Sequence, residues 1–196
     1  MFLVAGLGNP GEEYASSPHN LGFLTIDRLG ERHGIRVTRK DSKALVGVGE
    51  IDGHPVMLAK PQTYMNLSGT SLAPLMEKHA IPPDRLVLVY DELDLPWMAL
   101  RIKPKGSAAG HNGMKSVIAN LGTSDLLRVR IGIHPGHPVR DGAEFVLAPI
   151  KRSQKKELEE LVGFAADAVR SIIAEGVSTA MTKFNRRAPG LTTEEA

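Results

Sequence analysis

The sequence predicts a single three-layer α/β domain, with a central mixed, twisted β-sheet flanked by helices. Three observations predict it. Short apolar runs of the kind found in buried strands alternate with longer segments of helical period. Asp52-Gly53 lies between two strand-like runs, which signals a hairpin and makes part of the sheet antiparallel. The 196 residues are 42% hydrophobic and 23% charged, enough for one core, and no repeat, linker or composition break divides them. The expected domain covers residues 1–185, followed by a frayed tail over 186–196.

The elements follow in order. Phe2–Gly6 is a short apolar run ending in glycine, and Gly8-Asn9-Pro10-Gly11 is turn chemistry. Asn20 is a candidate cap for a helix over Leu21–His33, with Gly34 as its stop. Ala44–Ile51 and Pro55–Lys60 read as the hairpin strands. A helix begins at Ser68 or Thr70 and ends before Pro82-Pro83. Arg85–Tyr90 is the best buried strand, with Asp91 just past its apolar part. Ala99–Lys103 is a further short strand. Gly106–Gly113 is a small-residue loop leading into a helix near Met114–Leu121 that Gly122 stops. Leu127–Ile133 alternates apolar and basic residues, the pattern of a half-exposed strand, and His134–Gly142 is a loop. Ser153–Glu175 is the longest amphipathic helix, and Val177–Phe184 adds a short one.

Composition excludes several chemistries. The chain has no cysteine, so it has no disulfide, thiolate zinc site or cysteine nucleophile, and it suits a reducing compartment. No apolar run approaches the ~20 residues of a membrane helix. Met1 leads straight into Phe2-Leu3-Val4-Ala5, which leaves no room for a leader, so the expected location is cytoplasmic. A formal charge of +2 argues at first against a nucleic-acid partner. Its distribution is uneven, however: residues 51–100 net −3 and residues 101–150 net +4. The basic excess sits in Arg101, Lys103, Lys105, Lys115, Arg128, Arg130 and Arg140, where a solvated face is the plain reading.

Some candidate motifs are decoys. Gly6-Leu7-Gly8-Asn9-Pro10-Gly11 satisfies G-x-G-x-x-G after a strand. A dinucleotide site needs a helix starting within that motif, and Pro10 and Pro18 oppose one. Gly113-Met114-Lys115-Ser116 lacks the Gly-Lys-Ser/Thr adjacency of a phosphate loop. His134 and His137 are each followed by proline, which forbids a helical metal pair, and no metal is expected. His19 stands out by its company of Asn20, Gly22, Asn9 and Tyr14. Asn9, Asn66 and Asn112 lie in loop contexts, and a neutral amide can both donate to and accept from a peptide-like ligand. Spacing alone leaves open whether the three converge or only form turns and caps.

The same contexts carry a resemblance. The run from Leu3 to Gly11 with Tyr14, the His19-Asn20-x-Gly22 continuation, Lys60–Gly69 and Asp91–Leu95 resemble the bacterial-type peptidyl-tRNA hydrolases. Lys103–Ser116, Phe145-Val146-Leu147 and Ala180-Met181-x-x-Phe184-Asn185 continue it. The resemblance implies hydrolysis of the ester joining peptide to tRNA in prematurely released peptidyl-tRNA. It implies His19 as general base for water, oriented by Asp91, with no covalent intermediate and no cofactor. Asn9 and Asn112 would bind the peptide main chain or the oxyanion, and Asn66 would share their pocket. Tyr14 and Met65 would contact the terminal nucleotide or line the pocket. Lys103, and with it Lys105, Lys115 and Arg130, would engage tRNA phosphates. The family expectation is a monomer with no obligate protein partner and no membrane.

Two departures accompany the resemblance. The family pattern has Thr-Arg before the histidine, where this chain has Ser17-Pro18, and glycine where this chain has Ala109. Two other classes stand beside the enzyme: an RNA-binding relative that keeps the fold without catalysis, and a dinucleotide-binding oxidoreductase.

Overall fold

Side chains along a strand point alternately to the two faces of a sheet, and here each face carries its own set of helices. The computed structural model describes residues 1–188. The strands are β1 (Phe2–Gly6), β2 (Arg39–Asp41), β3 (Ala44–Ile51), β4 (His54–Pro61), β5 (Leu86–Pro96), β6 (Leu100–Lys103) and β7 (Leu127–His134). The helices are α1 (Leu21–His33), α2 (Ser68–Lys78), α3 (Asn112–Leu121), α4 (Gly142–Leu147), α5 (Lys155–Glu175) and α6 (Val177–Phe184).

The seven strands form one sheet in the order β2-β3-β4-β1-β5-β7-β6. The centre is parallel, with β1 between β4 and β5 and β7 beside β5. The margins are antiparallel, through β2/β3, β3/β4 and β6/β7. This is the mixed sheet that the sequence predicts. Leu3, Ala5, Leu86 and Leu88 bury against α2 and α3, through Leu72, Leu75, Met114 and Val117. Val4, Val87 and Val89 bury against α1, α5 and α6, through Ile26, Leu29, Leu161, Val169 and Ala180. Each of the Val, Leu, Ile and Met side chains among them contributes about 1.5–3 kcal/mol when fully buried.

The Asp52-Gly53 turn has both residues at positive φ, 49° and 79°, as a two-residue hairpin requires. Gly34 and Gly122 end α1 and α3 in the left-handed region, at φ 65° and 72°. The motif glycines serve packing. A Cβ on Gly22 would lie 2.4 Å from the Val89 carbonyl oxygen and 2.5 Å from the Leu7 nitrogen, so α1 rests directly on the sheet backbone. No helix starts within Gly6–Gly11; short 3₁₀ turns at Glu12–Tyr14 and Pro18–Asn20 precede α1. The dinucleotide reading therefore lacks its anion-binding helix end.

Several expectations need correction. β2 is an unread strand, because Arg-Lys-Asp carries no apolar alternation, and its turn uses Ser42 and Lys43 at φ 50° and 62° where no glycine marks it. β5 continues past Tyr90 through Asp91 and Glu92, which are buried inside it. α4 falls in a segment read as a loop followed by unassigned residues. β7 is not half-exposed, since the Gly106–Ser107 loop lies over its basic face and Arg128 is fully buried against those carbonyls. Residues 186–188, placed in the tail, instead line the edge of β6. Leu100 N–H donates to Arg186 O, and Ala188 N–H donates to Met98 O. The rest of the expected tail lies outside the described residues. Among the described residues no helix is long and apolar enough to cross a membrane.

Because the atoms facing Gly22 are backbone and cannot give way, Gly22→Ala is expected to cost about 3 kcal/mol or more, read as a fall in the urea midpoint.

Candidate active site

The parallel strands β1, β4 and β5 all deliver their carboxyl ends to one edge of the sheet, the position at which α/β sheets bind ligands. Asp91 lies there within β5, and its side chain is 2% exposed. The 3₁₀ turn Pro18–Asn20 at the head of α1 brings His19 beside it. His19 Nδ1 lies 2.9 and 2.8 Å from the two Asp91 carboxylate oxygens. His111, one residue before α3, sends Nε2 to within 3.0 Å of Asp91 Oδ1.

These contacts determine both tautomers. Met114 N–H donates to His111 Nδ1 at 3.2 Å, capping α3, so the neutral His111 ring carries its proton on Nε2 and donates it to Asp91. An acceptor-only carboxylate likewise requires His19 to donate from Nδ1, which leaves Nε2 as the lone-pair nitrogen. Burial alone would raise the Asp91 carboxyl; its partners His111 and His19 outweigh burial and hold it below the usual carboxylate range. The ionised Asp91 therefore stabilises the fold above its unfolded value of ~3.9, and this is lost only as pH falls through the lower folded value.

His19, Asp91 and His111 place three potential ligand atoms within 4.8 Å of one another, a spacing compatible with a metal. The hydrogen bonds oppose that use. Two N–H groups point at a carboxylate here, and the α3 cap keeps the proton of neutral His111 on the nitrogen a cation would need.

A second network fixes Asn9. Its backbone N–H donates to Asn20 Oδ1 at 2.8 Å, and its backbone carbonyl accepts from Asn20 Nδ2 at 2.9 Å. Its side-chain carbonyl accepts from Met65 N–H at 2.7 Å. Only the side-chain NH₂ group of Asn9 remains for a ligand. Asn20, expected to cap α1, makes no cap hydrogen bond and braces Asn9 instead.

Two clefts meet at His19. One, of about 240 Å³, is lined by Asn9, Asn66 and Asn112 together with Tyr64 and Met65. The other, of about 300 Å³, is lined by Asp91, Glu92, Asp94, His111 and Asn112. Ala143 and Val146 of α4 border both clefts. Asn9, Asn66 and Asn112, whose convergence spacing alone leaves open, line one cleft with His19.

Other expected residues lie apart. Tyr14 borders neither cleft; its carbonyl accepts from the Ser17 hydroxyl at 2.8 Å. Lys103, Lys105 and Lys115 line an open groove of about 800 Å³ on the far side of the Gly106–Gly110 loop. Arg130 is not in that groove; it pairs with the buried Glu92 at 2.9 Å. Ala109 has φ 48°, where an alanine costs about 1 kcal/mol more than glycine.

The peptidyl-tRNA hydrolase family model matches residues 3–191. The chain belongs to the peptidyl-tRNA hydrolase family. A peptidyl-tRNA hydrolase of Solibacter usitatus is 79% identical over all 196 residues of both chains. One of Koribacter versatilis is 48% identical over 95% of this chain and 94% of its own. The crystal structure of peptidyl-tRNA hydrolase from Acinetobacter baumannii superposes with a TM-score of 0.89 at 32% identity, covering 96% of each chain. For a peptidyl-tRNA hydrolase, sequence reasoning overlooked His111, Asn20 and Tyr64. His111 and Asn20 sit inside the motif runs but carry only turn or cap signals. Tyr64, 61% exposed at the cleft rim, is marked only by being an aromatic beside Met65-Asn66.

At neutral pH, long-range ¹H–¹⁵N spectra are expected to show the neutral His19 ring protonated at Nδ1 and His111 at Nε2. The opposite pattern at either ring would contradict the hydrogen bonds above.

Proposed function

We propose that this chain cleaves the peptide–ribose ester of peptidyl-tRNA with water activated by His19. One observation carries the reading: His19 Nδ1 is committed to the Asp91 carboxylate, and the ring borders both clefts. Two clefts suit a substrate with two limbs, a peptide and the terminal nucleoside, whose ester lies where they meet.

The steps balance as follows. Nε2 takes a proton as water oxygen bonds to the ester carbonyl carbon, and Asp91 stabilises the imidazolium. The carbonyl oxygen gains the negative charge, which the Asn9 NH₂ group is free to meet, with Asn112 beside it. Collapse breaks the bond to the ribose oxygen, which recovers the proton from Nε2. The products are a free peptide and a tRNA with its terminal hydroxyls restored. Asn66 and Met65 belong to the peptide side of this cleft. An aminoacyl ester lacks the first peptide bond and would leave these amides unpaired, which gives selectivity for peptidyl esters.

Lys103, Lys105 and Lys115 are the phosphate contacts in this reading; Arg130 holds Glu92 instead. Tyr14 shapes the turn before His19 rather than touching substrate. A monomer is supported by the two sheet edges. β2 presents Arg39-Lys40-Asp41, and residues 186–188 cover β6, so neither edge invites a second sheet. The substrate is a product of translation, which supports the expected cytoplasmic location.

With N-acetylated aminoacyl-tRNA as substrate, His19→Ala is expected to lower kcat by about 10²–10⁴. Asp91→Asn is expected to lower it by a similar factor, because an amide N–H facing Nδ1 favours the wrong tautomer. Turnover equal to wild type by His19→Ala would refute the base assignment. Lys103→Ala is expected to weaken tRNA binding across sequences and to reduce the slope of log K against log salt by about 1.

A further inference from the structure

Arg128 is the largest side chain buried to under 2% exposure, and a buried cation is costly unless fully bonded. Its guanidinium is satisfied by backbone carbonyls. Nε donates to Leu126 O at 3.0 Å, and one terminal nitrogen donates to Ser107 O at 2.6 Å. The other donates to Ser124 O at 2.8 Å and to Gly106 O. All four of these hydrogen bonds are directed at the turn before β7 or at the loop between Lys103 and His111.

The consequence lies on the other face of that loop. All peptide bonds of the described residues are trans, so the carbonyl of one residue and the N–H of the next point in opposite directions. Drawing the Gly106 and Ser107 carbonyls inward therefore turns the Ser107 and Ala108 N–H groups outward. Neither donates to a protein acceptor among the described residues, whereas Gly106 N–H is used by Ser124 O and Ala109 N–H by the Ser107 hydroxyl. Gly106, Ser107 and Ala108 line the groove that also holds Lys103, Lys105 and Lys115. A Cβ on Gly106 would lie 2.9 Å from Lys103 Nζ, so that ammonium lies against the loop. Two successive outward amides beside an ammonium form an anion-binding concavity.

We propose that Arg128 is a positioning residue that shapes this loop, and that the Ser107 and Ala108 amides bind a backbone phosphate of the RNA substrate together with Lys103. The inference rests on the peptidyl-tRNA reading above. It gives the buried Arg128 a role opposite to that of a surface phosphate ligand, since it acts from behind the loop. Arg128 also faces the Tyr90 phenol, which burial pushes up to about 12 against the pull of Arg128. Tyr90 packs on the His111 ring with centroids 4.7 Å apart, so one rigid assembly carries both the phosphate loop and a partner of Asp91.

The direct test needs no variant. ¹⁵N-labelled wild-type protein titrated with a short RNA hairpin is expected to show saturable shifts of the Ser107 and Ala108 amide signals. Saturation of the lysine groove with those two signals unmoved would overturn the proposal. As a second measurement, Arg128→Lys presents a single ammonium to four carbonyls and is expected to raise KM for N-acetylated aminoacyl-tRNA roughly tenfold, with the loss carried by KM rather than kcat. An unchanged KM, or a loss in kcat alone, would equally overturn it. If Arg128→Lys does not fold, the wild-type titration decides. Absence of ester cleavage by the wild-type enzyme would instead refute the function on which the inference rests.

Discussion

A carboxylate buried inside a β-strand costs several kcal/mol unless its oxygens are met by donors. Asp91 is such a group, and much of the surrounding architecture answers it. His19 and His111 reach it from two different loops, so the head of α1 and the head of α3 must both arrive at the carboxyl end of β5. The His111 ring is in turn fixed by Met114 N–H, which ties the helix cap to the same carboxylate. A single buried charge thereby sets the positions of two helices and the proton positions of two imidazoles.

The loops around this centre are held by side chains bonded to backbone. Asn20 bonds both backbone groups of Asn9, and Met65 takes the Asn9 side-chain carbonyl. Asn185 does the same at the edge of β6, where its amide bonds the N–H and the carbonyl of Ile102 next to Lys103. Arg128 holds the Gly106–Ser107 turn from within. Each device removes conformational freedom from a loop before any ligand arrives, the form of preorganisation that electrostatic catalysis and phosphate binding both need.

Legibility in the sequence followed physical type. The parallel core strands announced themselves because burial on both faces demands uninterrupted apolar runs. The Asp-Gly hairpin was legible because its backbone needs those residues, whereas the Ser42-Lys43 turn adopts similar φ values without them. β2 and α4 were not legible, since a three-residue charged edge strand and a six-residue helix depend on neighbours for their stability. Among the site residues, His19, Asp91 and the asparagines stood out through motif context. Tyr14 and Arg130 share that context but lie elsewhere, and sequence adjacency cannot distinguish them. The net charge of +2 likewise concealed a separation in space, with acidic groups in one cleft beside His19 and lysines in the groove across the loop.

By itself the sequence determined the three-layer mixed-sheet class, the family and most of the residues that meet at His19, because apolar periodicity, turn residues and motif order are local properties of the chain. Only the tertiary structure decided which basic residues face solvent, which asparagine braces another, and which nitrogen of each histidine carries the proton. Those outcomes depend on partners as far as 72 residues away, and a hydrogen bond is settled by where two groups meet in space rather than by what surrounds each in sequence.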